Sequence, residues 1–175
     1  MNILDTILHR RSVRQYTDAP IPPQTLDAIL YAGLAAASSK NRKPWEFILV
    51  QNRDTLDQLC QCRPGAGNLL AGCQAAIVVA ADAELVDVWV EDCASAITQM
   101  HLAADALGVG SCWLQVRLRK APDGEQDTQD VVRKVLGIPE KYGVMAILTL
   151  GMPASHPGVK QISDLPLEKI HREHF

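Results

Sequence analysis

The chain has 175 residues, 47% hydrophobic and 21% charged, and a formal net charge of -3. That size and balance suit one folded domain over residues 1–175 and exclude a disordered chain. The slight acidity argues against a general nucleic-acid binder, and the longest apolar run, "AAIVVAADAEL", meets charge too early to cross a membrane.

Ile3, Leu4, Ile7 and Leu8 have the spacing of a short amphipathic helix. The prolines of "DAPIPPQ" interrupt the chain, and "TLDAILYAGLAAAS" predicts a second helix with Leu26, Ile29, Leu30, Gly33 and Leu34 on one face. "KNRKP" is a turn before the strand "WEFILV". "RDTLDQLCQC" reads as a short helix, "RPGAGN" as a loop and "AAIVVAA" as a strand buried on both faces. Residues 87–108 form the longest helical candidate, and its apolar residues cover most of its girth, so it packs on several sides. Strand "SCWLQVRL", helix "DTQDVVRKVLG" and strand "VMAILTLG" follow. The tail "LPLEKIHREHF" docks or extends away, with His171 and His174 in a tail helix. Alternating helices and strands without repeats or linkers give an α/β or α+β class.

The opening "MNILDTILHRR" lacks the charge, apolar and small-residue order of a secretory signal. The chain is therefore expected in the cytoplasm, with Cys60, Cys62, Cys73, Cys93 and Cys112 as reduced thiols. Cys60 and Cys62 are too closely spaced for a zinc pair, His171 and His174 lack further ligands, and no metal is expected. "GVGSCW" follows a helix and precedes a strand, the reverse of a dinucleotide fingerprint.

Two stretches stand out. "RRSVRQY" places Arg10, Arg11, Ser12 and Arg14 together in an acidic chain. Arginines there either offset the negative end of the first helix or surround an anion, for which the guanidinium fork is well shaped. "SSKNRKPWEF" offers Ser38, Ser39 and Asn41, either as a solvated cap or as an edge for a planar heteroaromatic ring.

In combination the two stretches resemble the nitroreductase family of FMN-dependent flavoproteins. That family opens on R-R-S-x-R-x-[FY] and continues with P-S-x-x-N-x-Q-P-W. "HLAADALGVGSCWLQVR" and "LTLGMPA" resemble its later helix–turn–strand and closing-strand segments, in the family's order. This chain departs at Ala37, where the family has proline, and at Lys43, where it has glutamine.

The resemblance implies an α+β sandwich: a mostly antiparallel central sheet surrounded by helices, in an intertwined homodimer with an extended C-terminal tail. FMN would lie between the subunits, with NADH or NADPH as transient donor and a small acceptor such as a nitroaromatic or quinone. Arg10 and Ser12 match positions that hold the phosphate and ribityl chain, and Arg11 lies next to them. Arg14 matches a cation near the flavin N1 and C2 carbonyl, where a reduced ring gathers negative charge. Ser38, Ser39 and Asn41 match the loop that reaches the ring from the second subunit. Gln115 and Val116 match the strand backbone facing the C4 carbonyl and N5. Lys160 and Asn68 are weaker candidates for a late phosphate cation and a pyrimidine-edge contact. No protein acid or base is required, so no catalytic residue is assigned. Rival readings are a dehalogenating, desaturating or flavin-fragmenting relative, a non-catalytic dimeric module for flavin or another phosphorylated ligand, and helix capping alone.

Overall fold

The computed structural model describes residues 2–175. Six helices and four strands alternate: α1 (Ile3–His9), α2 (Pro23–Leu34), β1 (Trp45–Val50), α3 (Arg53–Leu59), α4 (Gly67–Leu70), β2 (Ala75–Asp82), α5 (Trp89–Ala106), β3 (Gly110–Gln115), α6 (Thr128–Leu136) and β4 (Tyr142–Gly151). The strands form one sheet in the order β1-β2-β4-β3, and every neighbouring pair is antiparallel. This is the expected α+β arrangement.

Period-two alternation divides the buried strands between two cores. Ala75, Ile77, Val79 and Ala81 of β2 join Leu26 and Ile29 of α2 and Ile97 and Met100 of α5 on one face. Ala76, Val78 and Ala80 join Leu56 and Leu59 of α3, Leu70 of α4 and Val132 of α6 on the other. The result is three layers, with α2 and α5 on one side and α3, α4 and α6 on the other.

Local chemistry sets the element ends. Asn2 caps α1 by accepting from Asp5 N at 2.9 Å, and Asp5 returns the contact to Asn2 N at 3.1 Å. Gly137 ends α6 in the left-handed region at φ 66°. The second predicted helix was drawn to residue 38 but stops at Leu34, because the chain turns through Ala35 and Ala36 toward the serine loop. The "RPGAGN" loop contains the start of α4. The tail has only two short 3-10 turns, Ile162–Asp164 and Leu167–Lys169. His171 and His174 therefore lie on no helix, a correction to the sequence expectation; the prolines and bends of the tail leave no run of repeating backbone bonds there.

The strand predicted over 111–118 ends at Gln115 for a visible reason. β2 and β4 change register between Val79 and Ala80, so that Val79 faces Ala146, Ala80 faces Val144 and Met145 is the extra residue of a bulge. The Met145 carbonyl then accepts from both Val116 N (3.1 Å) and Arg117 N (2.9 Å), and Leu118 follows at φ 59°. A ladder cannot continue through two donors on one acceptor and a left-handed residue.

Candidate functional site

The arginine stretch leaves α1 and runs along the open edge of β3. Arg10 is the C-cap of α1 and extended, with its N–H on Thr6 O. Ser12 bridges Ser111 of β3, and Val13 N donates to Ser111 O at 3.0 Å. Tyr16 fastens the far end. Its hydroxyl lies 2.8 Å from both Val13 O and Thr149 Oγ1, and its ring lies over Gly151, where a Cβ would come within 2.6 Å of it. Burial pushes the Tyr16 phenol well up, so it stays neutral.

The three arginines face different surroundings. Arg10 Nη1 donates to His101 Nε2 at 2.8 Å. Arg14 Nη1 reaches only Ser12 O at 3.3 Å. Arg11 Nη1 donates to the Gly158 carbonyl of the tail, so its contact is with the strap that crosses α1. Among the described residues none of the three has a carboxylate partner, whereas Arg53 pairs with Asp57 and Arg133 with Asp130. Arg14, Ser12 and Arg10 all bear on the Cys112 thiol. Burial raises its pKa, and these three pull the other way. Arg10, Ser12 and Arg14 are thus brought to one place, and Arg11 to its rim.

The tail completes that rim. Lys160 N donates to Leu8 O at 3.1 Å, which brings Lys160 to the same end of α1. His156 stacks on His9 with centroids 4.3 Å apart, and His9 Nδ1 donates to Asp105 Oδ2 at 2.8 Å. His9, Asp105 and His156 present possible ligand atoms within 4.8 Å of one another. His9 Nδ1 and His156 Nε2 both face the Asp105 carboxylate, at 2.8 and 3.7 Å, so the three side chains engage one another. The cluster works as a clasp holding the tail.

Ser38, Ser39 and Asn41 lie elsewhere in the same chain. Ser38 Oγ accepts from Lys43 N at 3.0 Å, and Ser39 N donates to Asp92 Oδ1 at 2.8 Å in the first turn of α5. Asp92 is buried, and its Oδ2 has no partner among the described residues. Lys40, Asn41 and Lys43 have φ of 50°, 55° and 49°, left-handed conformations that non-glycine residues adopt at some cost. Lys43 departs from the family pattern at one of these strained positions.

Gln115 and Val116 end β3 beside the Met145 bulge. Gln115 Oε1 accepts from Trp113 Nε1 at 2.9 Å and Gln115 Nε2 donates to Arg117 O at 3.0 Å, so the side chain is held on the Trp113 face. Val116 is fully buried, and its backbone is already engaged, its N–H donating to Met145 O at 3.1 Å and its carbonyl accepting from Arg119 N at 3.2 Å, so the backbone donor expected there is not free. The strand covers about 13 Å from Ser111 to Gln115. Asn68 lies exposed on α4.

Sequence reading missed His101 and Asp92. Both sit inside the apolar run of α5, and the only signal was a polar residue at a position whose helical neighbours are core. Burial holds the His101 imidazole down at about 4, with the Arg10 charge adding to the effect. Among the described residues no helix is long and apolar enough to cross a membrane.

Comparison with known proteins shows the family and the fold. A family profile described as Nitroreductase family matches residues 7–62 and 61–152. A curated protein of Archaeoglobus fulgidus named "Putative NADH dehydrogenase/NAD(P)H nitroreductase" is 37% identical over 175 residues, covering 97% of each chain. The structure of an FMN-dependent nitroreductase from Clostridium difficile superposes with a TM-score of 0.94 at 39% identity, over 98% of this chain and 99% of that one. An NADPH:FMN oxidoreductase from Vibrio harveyi, solved with NAD+, gives 0.83 at 25% identity, over 100% of this chain and 78% of that one.

Proposed function

Because the chain belongs to the nitroreductase family, and so is an NAD(P)H- and flavin-linked oxidoreductase, we propose that it holds FMN along β3 and passes electrons from NADH or NADPH to a small acceptor such as a nitroaromatic or quinone. The observation that carries this is the set of arginines at Arg10, Arg11 and Arg14, none with an acidic partner among the described residues. Clustered cations repel unless an anion sits among them, and the guanidinium fork suits a phosphate monoester.

The donor set fits FMN. Arg10 and Ser12 would take the phosphate and ribityl hydroxyls, with Arg11 and Lys160 at the rim. Arg14 would offset negative charge at the pyrimidine end, while Gln115 and Val116 would border the ring's other edge. Bound FMN supplies the two-electron relay between nicotinamide and acceptor. This chain's own residues bind, orient and balance charge, and no side chain is needed as a proton donor.

We further infer a homodimer. Arg10 is anchored at residue 101 of α5 and Ser39 at residue 92, about 14 Å apart along one helix. In the proposed dimer Ser38, Ser39 and Asn41 would meet the flavin of a second copy. The outer face of α1 supports this: Ile3, Leu4 and Ile7 are 70%, 49% and 46% exposed, an apolar stripe that a lone subunit leaves wet. The shared sheet between the two cores supports a single domain over residues 1–175.

The test is reconstitution with FMN, desalting and anaerobic addition of NADH or NADPH, followed by steady-state assays with nitroaromatic and quinone acceptors. A retained flavin band that bleaches and recovers with acceptor is expected. Retention without bleaching by either nicotinamide overturns the redox reading in favour of a binding module.

A further inference from the structure

We propose that His101 is a positioning residue for the phosphate end of the flavin site, a neutral acceptor that aims the Arg10 guanidinium while leaving its charge for the ligand. The inference rests on the FMN reading above and gives a role to a residue that the sequence patterns left without one.

The hydrogen-bond inventory fixes the tautomer. Arginine only donates, so His101 Nε2, 2.8 Å from Arg10 Nη1, must accept. The ring proton is then on Nδ1, which donates to Ser111 Oγ. Ser111 is almost fully buried on β3, and its backbone pairs with Ser12 and Val13. One imidazole thus ties together helix α5, strand β3 and the arginine that leaves α1. His101 is itself 7% exposed, among Ile97, Met100 and Ala104. A buried polar ring in that company is costly unless both nitrogens are engaged, and both are.

The choice of a neutral partner matters. A carboxylate at this position would hold Arg10 equally well but would cancel its charge and compete with a phosphate. An imidazole kept neutral by burial holds the fork without doing either. Among the described residues Arg10 makes no other side-chain hydrogen bond, so its remaining N–H groups are available. Nearby Asp105, one helical turn on, is engaged by His9, with His156 Nε2 at 3.7 Å from its other oxygen.

The experiment compares affinities for FMN and for riboflavin, which lacks the phosphate, in full-length wild type, His101→Leu, His101→Gln, His101→Asn, Arg10→Ala and the Arg10→Ala/His101→Leu double variant. Melting curves accompany each. His101→Leu is expected to weaken FMN about tenfold and leave riboflavin within about twofold. His101→Gln, whose carbonyl can reach the Nε2 position, restores FMN affinity to within about threefold. His101→Asn reaches only the Nδ1 position, keeps Ser111 and behaves like leucine. In the Arg10→Ala background His101→Leu has no further effect. Equal loss of FMN and riboflavin, additivity with Arg10→Ala, or unchanged FMN affinity in a folded His101→Leu or His101→Asn protein overturns the proposal alone. Wild type that binds no FMN overturns the flavin reading and this inference with it.

Discussion

Gly151→Ala tests whether the arginine stretch is latched to the sheet by Tyr16. A Cβ at Gly151 would lie 2.6 Å from Tyr16 Cδ1 and Cγ and 2.8 Å from its Cβ. Carbon atoms prefer separations of about 3.5–4.0 Å, so the ring must retreat by about 1 Å. It is tethered at the other end, because its hydroxyl sits 2.8 Å from Val13 O and Thr149 Oγ1. A retreat of that size takes these contacts beyond hydrogen-bonding range. Overpacking costs about 1–3 kcal/mol and the lost hydrogen bond about 1 kcal/mol, together about 3 kcal/mol. For a chain of this length that lowers Tm by about 6–12 °C. Since the latch holds residues 12–16 against the sheet, FMN affinity should fall with it, while riboflavin affinity falls less. Tyr16→Phe, which removes the hydroxyl without overpacking, should lose about 1 kcal/mol and a smaller part of the FMN affinity. Gly143→Ala at the opposite end of β4 is the control, because its Cβ would meet Trp89 Cη2 at 2.6 Å far from the arginines. Thermal unfolding and flavin fluorescence quenching give both numbers. If Gly151→Ala and Gly143→Ala lose similar stability and both keep wild-type FMN affinity, the latch argument is wrong.

Three other perturbations have defined outcomes. His101 titrates at 6.5 in an unfolded chain and at about 4 when folded, so between those values only the unfolded state binds its proton. Stability from this group is full above pH 6.5 and is lost as pH falls, by about 2 kcal/mol between pH 7 and pH 5; denaturant titrations should show that His101→Gln lacks this part of the slope. Arg10 is the charged group in contact with the ring, and Ser111 its neutral neighbour. Asp92→Ala frees Ser39 N and should cost about 1–3 kcal/mol, with faster hydrogen exchange across residues 38–43 than elsewhere. Ile7→Glu places a charge on the exposed apolar face of α1 and should shift the proposed dimer to monomer in sedimentation, lowering FMN retention because Ser38, Ser39 and Asn41 would then be missing from the site.

What the sequence disclosed depended on whether a signal was local. The arginine stretch was legible because three cations and a serine within five residues depart from an acidic background. The strand β2 was legible because "AAIVVAA" carries no charge on either face. The arginines' separate environments were not legible. Arg10's partner lies 91 residues away and Arg11's 147, and His101 looks like one more buried position in an apolar helix. The end of β3 was also hidden, since "SCWLQVRL" has strand composition throughout and the interruption comes from the Met145 bulge in another strand.

The same limit explains why the site reads as two motifs when its physical frame is one helix. Near its start α5 presents Asp92 to the serine loop, and near its end it presents His101 to Arg10. Its rise of about 1.5 Å per residue fixes the distance between the two loops more rigidly than either loop could alone. In the proposed dimer, α5 would set where each serine loop stands relative to the other copy's arginine cluster. On this argument, a substitution that shortens or kinks α5 between residues 92 and 101, such as Ala96→Pro, should abolish FMN binding even where dimers persist, because the proline removes a helical hydrogen bond and redirects the axis at the centre of that ruler. Persistent wild-type FMN affinity in a folded Ala96→Pro dimer would mean that the two loops find the flavin independently of α5.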